Sequence, residues 1–404
     1  MVTHSHRSGP RVGPSGSAAR PRRGIALVLA IVAIVVIGAL IGGAFFASTQ
    51  EYRIGRNSLV EQRAFAAAEM GVNRALLNYG PGSGSIIPTT LATPGQQQVM
   101  PPVVTPAGDV ANVRVTRLTN NAIWITSEGS AGQEQGGTRS VRRSNLIMNV
   151  TRPDIEIGGA ITTRGGAQVR GNASISGFDT SPVGWDACAG MVPQDTAAFS
   201  VSPTKTVTMQ RTTQVVGDPP IAYDANAADT ATYSHYGSLT WDVLKQNANI
   251  HLLPNTDPNP HPQGTLTTCN VGGLFALTNW GEPYRVGFDH VKGCESYFPV
   301  IYAPGDLTLN ANSRGQGMLL VEGSLIVNGT FEFYGVIITK NDVKASRGNI
   351  TVHGALLSQN IDLSDNIDIA GAGSINFSSC AVRQAMNGVA VVTPVRDRSW
   401  TQMY

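Results

Sequence analysis

Residues 22–71 read RRGIALVLAIVAIVVIGALIGGAFFASTQEYRIGRNSLVEQRAFAAAEMG. From Ile25 to Ala47 the stretch contains no charged residue and no proline, enough helix to cross a bilayer. The apolar periodicity does not stop there. Leu59, Val60, Phe65, Ala68, Val72, Leu76 and Tyr79 recur at three- and four-residue steps, which carries the same helix on into water. No proline follows before Pro81, so one helix over 25–80 is predicted, about 80 Å long at 1.5 Å per residue.

Charge orients this helix. Arg7, Arg11, Arg20, Arg22 and Arg23 precede it, and no acidic residue occurs before Glu51. That asymmetry predicts a single-pass membrane protein, with residues 1–24 as a cytoplasmic leader and the bulk of the chain outside, periplasmic or extracellular where the membrane is a bacterial inner membrane. A cleaved secretory signal is disfavoured, because the apolar run is too long and lacks an Ala-x-Ala exit. A plain uncleaved anchor is the alternative. Only 14% of the 404 residues are charged and 45 are glycine, a balance that suits an exported β-rich protein better than a cytosolic enzyme. The four cysteines, Cys188, Cys269, Cys294 and Cys380, all lie beyond the membrane segment, where up to two disulfides are expected and the pairing stays open.

Several parts of the stretch resemble the N-terminal region of PilX-type proteins, minor type IV pilin-like subunits. They are the Arg22-Arg23-Gly24 junction, the Ala26-Leu27-Val28 start, the Gln50-Glu51-Tyr52-Arg53 exit and the Gln62–Gly71 segment QRAFAAAEMG. The resemblance implies cleavage by a prepilin peptidase between Gly24 and Ile25, and helix packing in the membrane or a filament through Phe65 and Glu69. It also implies, as partners, other pilin-like subunits, the pilus assembly platform and the inner membrane. One position departs from the main pilins. They carry a glutamate at the fifth mature residue, and Leu29 stands there in this chain. A minor subunit is expected for that reason. Independently, the GxxxG at Gly38 and Gly42 is a weak helix-contact signal.

After the helix, residues 81–108 are rich in Pro, Gly, Thr and Gln and read as a linker. Period-two alternation then predicts a small antiparallel meander over 109–153, with strands at 113–118, 122–127 and 139–150.

The remaining chain carries a degenerate repeat. GMLLVEGSLIVNG (317–329) follows VIYAPGDLTLN (300–310) at an 18-residue step, and glycines 317, 335, 354 and 373 continue at 18, 19 and 19. Short aliphatic runs accompany each glycine, which is the requirement of a parallel β-helix. Residues 158–177 align without a gap onto 335–354. A first coil is therefore expected at 154–177, an insertion at 178–298 with a helix near Leu239–Ala248, a main solenoid at 299–380 and a tail at 381–404. The expected fold class is mainly β with one long N-terminal α-helix. A pilin-like transmembrane helix and small antiparallel sheet lead into a right-handed parallel β-helix with a large insertion.

No GxSxG, HExxH or phosphate-loop motif is present, and no cofactor, nucleic-acid partner or catalytic residue is expected. Asp362, Asp365 and Asp368 recur at three-residue steps and are weak Ca²⁺ candidates, although coil corners need Asp for turn geometry anyway. Asp306, Glu322 and Asp342 lie on other coils. The expected function is a pilin-like minor subunit displaying a solenoid head. The alternatives are a membrane-anchored β-helix adhesin that binds surface glycans, and, third, a carbohydrate-active enzyme.

Overall fold

The computed structural model describes residues 25–77, 94–119, 121–132, 139–185, 188–210, 212–254, 257–262, 269–271, 277–283, 294–345, 347–359, 366–369, 373–389, 391–395 and 400–403. Helix α1 runs unbroken over Ile25–Leu77. The chain divides into two compact units, Met1–Val60 and Glu61–Tyr404.

In the second unit, the C-terminal part of α1 packs on an antiparallel sheet. Its strands are β1 (Gln97–Val99), β2 (Val103–Val104), β3 (Val110–Thr119), β4 (Ala122–Gly132) and β5 (Arg139–Thr151). Alternation turns Val113, Val115, Ile123, Ile125, Leu146, Met148 and Val150 to one face, where Val72 and Ala75 of α1 cover them. Strands β1 and β2 come from the stretch read as a linker. Pro101 and Pro102 separate them, which suits the sheet edge, where a missing N–H costs no ladder bond.

The chain then builds a column of parallel strands. It enters through β6 (Gly159–Thr163), β7 (Gly166–Val169) and β8 (Ser174–Ser176), and continues through β9 (Ala197–Val201), β10 (Val207–Met209), β11 (Gln214–Val216) and β12 (Ile221–Tyr223). A crossing segment follows, with α2 (Ala225–Ala228), a 3-10 turn (Thr230–Tyr233), β13 (His235–Tyr236), β14 (Leu239–Thr240) and α3 (Trp241–Gln246). From the opposite end the chain returns through β15 (Ile250–His251), β16 (Val300–Ala303), β17 (Leu307–Leu309), β18 (Ser313–Val321) and β19 (Leu325–Val327). Then come β20 (Thr330–Thr339), β21 (Val343–Ala345), β22 (Asn349–Ser358), β23 (Asn366–Ile369) and β24 (Ser374–Phe377).

One ladder runs β10-β7-β23-β21-β19-β17 and another β11-β8-β24-β22-β20-β18-β16-β15, with β12-β9-β6 joined to the second half of β22. Val300 pairs with Met318, at the 18-residue step of the repeat. Chain order is not stacking order, however. The first coil does not precede β16; it abuts β22 and β23. Strand β22 has two partners on that side: Thr351–Gly354 pair with β24, whereas Leu356–Ser358 pair with β6. One coil is thus assembled from two distant pieces of chain. Residues 197–223, within the expected insertion, add further coils beyond it.

Glycines 317, 335 and 354 are register partners with φ of 108°, 134° and 145°. Each bends a long strand between two faces of the column, and a Cβ there would fall on a backbone carbonyl of the preceding coil. The 19-residue step to Gly373 does not continue this ladder. Phe377 is the partner of Gly354, at a point where β24 ends and no bend follows. Two residues after each of these glycines, Leu319, Ile337 and Leu356 lie side by side. Ile161 continues that row, one residue off the gap-free alignment, which holds at β8.

Helix α4 (Ser379–Gly388) starts the segment read as a tail. Ser378 Oγ caps it, accepting from the Ala381 amide at 3.3 Å. It lies over β18, β20 and β22, strands whose second halves are buried throughout. Beyond it, β25 (Val391–Pro394) and β26 (Trp400–Met403) pair antiparallel with β5 and complete the first sheet.

Candidate functional site

In the first unit, every residue from Ile25 to Ser48 is exposed, apolar side chains included. Among the described residues this is the one helix long and apolar enough to cross a membrane. Gly38 and Gly42 face open space. Gly24 lies outside the described residues, and Ile25 is the first residue of α1.

The segment QRAFAAAEMG has a readable physical task. Ala64, Ala67, Ala68, Gly71, Val72 and Ala75 are buried against the sheet, while Phe65 and Glu69 are half-buried on the flanks. Small residues let the helix approach the strands closely. A Cβ at Gly129 of β4 would fall on the Ala64 carbonyl and the Ala68 amide, and one at Gly71 would strike Ser127 and Val113. Two ion pairs fix the angle of approach. Arg63 is bidentate to the buried Asp109, donating from Nε at 3.0 Å and from an η-nitrogen at 2.8 Å. Arg142 of β5 reaches Glu61. Gly129, mid-strand in an alternating segment, is the sequence sign of this close approach.

The structure pairs Cys188 with Cys380 and Cys269 with Cys294, at Cα separations of 5.7 and 4.9 Å. The first bond ties the loop after β8 to the first turn of α4. Asn279, buried, donates to Cys269 Sγ at 3.3 Å and to the Asn270 carbonyl at 2.7 Å.

Of the candidate carboxylates, Asp362 and Asp365 lie outside the described residues. Asp368 is on β23, between Lys344 and Gln168 in register. Asp306 caps a corner, accepting from the Ser324 amide at 2.7 Å, and buried Asp342 pairs with Lys344 at 3.1 Å. Among the described residues no group of three or more His, Cys, Asp or Glu is placed to hold a metal. Glu322 accepts from Trp241 Nε1 at 3.1 Å and from the Tyr302 hydroxyl at 3.0 Å, with Lys245 Nζ at 3.8 Å. Lys340 sits 4.5 Å over the Trp241 ring, and burial lowers its pKa against the opposing pull of Glu322 and Asp242. These contacts seat the crossing segment on the column, a role in binding the chain to itself. A second outward group is an aromatic stack: Trp185 on Tyr334 at 5.5 Å, and Tyr334 on His353 at 4.4 Å.

No family model matches the chain, and no curated protein matches it. Among solved structures, the competence-associated pilin ComZ from Thermus thermophilus is similar at 12% identity, over 85% of this chain and 98% of that chain, with a TM-score of 0.23. A likeness of that size carries no argument, and the fold rests on the strand register.

Proposed function

We propose that this chain is a PilX-type minor pilin-like subunit of a type IV pilus or related secretion filament, its solenoid carried outside the inner membrane. The observation that supports this reading is α1 itself. One helix begins as a fully exposed apolar segment and ends locked into a sheet by alanines, glycines and the Arg63–Asp109 pair. Such a segment offers an apolar surface to a membrane or to neighbouring helices, and the same helix continues into a folded domain. Partners in this reading are other pilin-like subunits, the assembly platform and a prepilin peptidase acting between Gly24 and Ile25. Leu29 leaves the shaft without a carboxylate near its start, so the subunit joins filaments made by others and forms none alone.

Mass spectrometry of the membrane-extracted protein tests the proposal. A mature N-terminus at Ile25, lost in Gly24→Glu, and co-purification with fibres are expected. An intact leader in cells with active prepilin peptidase, or filaments composed of this chain alone, would overturn it. A second reading, an anchored adhesin for surface glycans, draws on the half-exposed aromatic stack of Trp185 and His353 around Tyr334. It keeps the leader intact and predicts glycan-array binding that is lost in Trp185→Ala.

A further inference from the structure

Strands β10, β11 and β12 form the last turn of the column. Among the described residues each pairs on one side only, with β7, β8 and β9 respectively. The backbone bonding shows which groups face outward. Ala167 donates to the Thr206 carbonyl and Gln210 to Val169, so the N–H and C=O of Val207 and Met209 point away from the column. Gln214 donates to Ala173 and Gly177 to Val216, leaving Val215 outward. Phe199 donates to Pro220 and Asp224 to Val201, leaving Ile221 and Tyr223 outward.

The apolar core reaches the surface at this end. Val207, Val215 and Ile221 are only partly covered, and Met209, Val216 and Tyr223 are 44%, 43% and 59% exposed. Open strand edges are normally blunted by charges or proline, yet the three strands contain neither. The turn is also symmetrical about Val215. Strands β10 and β12 are equally long, and the stretches 210–213 and 217–220 that join them to β11 are equal too.

We propose that this turn is an interface between two copies of the chain, joined edge to edge about a two-fold axis through Val215. Antiparallel pairing about that axis sets Val215 against the partner's Val215, Val207 against the partner's Tyr223 and Met209 against the partner's Ile221. Every outward-facing backbone residue then meets another outward-facing one, the phase in which antiparallel partners exchange two hydrogen bonds. Charge agrees with this register: Lys205 before β10 approaches the partner's Asp224 after β12. A single extended peptide covers one edge and leaves the other two, with the apolar floor, in water. A second copy covers all three, as an isologous contact requires. The inference goes beyond the filament reading and stands without it.

Sedimentation velocity of the full chain in density-matched detergent tests the interface. A concentration-dependent dimer is expected. Val216→Lys sets two ammonium groups beside the axis and should weaken dimerisation at least about tenfold. Met209→Pro removes an outward donor, leaves the inward ladder intact and should act in the same direction. Val215→Cys, oxidised with glutathione disulfide, should yield a covalent dimer, and this variant decides alone if Val216→Lys does not fold. A monomer at every concentration overturns the proposal. So does a dimer that tolerates Val216→Lys without cross-linking at position 215, as contact through Gly38 and Gly42 would give. A monomer with slowly exchanging amides at Val207, Met209 and Val215 also overturns it, because another segment of the same chain then covers the edge.

Discussion

Ile375 lies beside Ile175 in neighbouring parallel strands, so the last solenoid strand of the chain is hydrogen-bonded to a strand of its first coil. Asp179 reinforces this seam. Its carboxylate accepts from the Ser379 amide at 2.9 Å, from the Ser379 hydroxyl and from the Gln194 amide at 2.8 Å. Asp179→Ala frees the start of α4 and should cost about 1.5–3 kcal/mol, the range for bonds to a charged acceptor. Urea unfolding of the full chain measures this. A change under about 0.5 kcal/mol, typical of a plain surface substitution, would remove the seam from the stabilising contacts.

Ile337 sits between Leu319 and Leu356 in register and is fully buried. Ile337→Asp places an unpaired charge in that row and should cost more than about 3 kcal/mol, spreading to neighbouring coils because each braces the next. Ile326, half-buried on β19, is the control, and Ile326→Thr should stay within about 1 kcal/mol. Equal melting temperatures for the two variants would contradict the register.

Gly129 allows α1 to touch β4. Gly129→Val pushes the helix away from the sheet and separates Arg63 from Asp109. The expected cost is about 2–3 kcal/mol, as for overpacking of a filled core. Hydrogen exchange should accelerate in residues 61–77 while the solenoid amides stay slow. Uniform acceleration in both regions would show that the two cores unfold as one.

His353 stacks on Tyr334, and burial depresses its pKa, with Glu332 pulling weakly upward. The unfolded chain therefore binds the proton more readily. Stability from this group is present above the ordinary histidine pKa of about 6.5 and falls as pH drops through it. His353→Phe keeps a stacking ring and should flatten the pH dependence of the melting temperature between about pH 7 and 5. An unchanged slope would assign that dependence to other groups.

Much of this architecture is legible in the residues, for physical reasons. The α1 pattern needs no partner to be read, because charge, proline and period all act locally. The Gly317, Gly335 and Gly354 row is visible because each coil repeats the same left-handed bend. Stacking order is not visible. Aliphatic runs such as Leu319-Leu320-Val321 and Val336-Ile337-Ile338 are interchangeable neighbours, so nothing local directs the first coil to β22 rather than β16. The one-residue slip at Ile161 hides for the same reason, since Ile161 and Thr162 both face buried surroundings. In the helix–sheet contact, QRAFAAAEMG is recognisable alone, whereas the role of Gly129 needs the opposing helix to give it meaning.

Val391 of β25 stands opposite Thr151 of β5, so the polypeptide leaves the first sheet and re-enters it at adjacent points. Topologically the solenoid is a cassette spliced into a smaller host domain whose own sheet closes only when the final strands arrive. Tension between α1 and the C-terminus passes through the hydrogen bonds of that host sheet and bypasses the column. Coils could be added or deleted between the two splice points without altering the host's strand order, so the length of the column is free to vary while its attachment to the sheet stays the same.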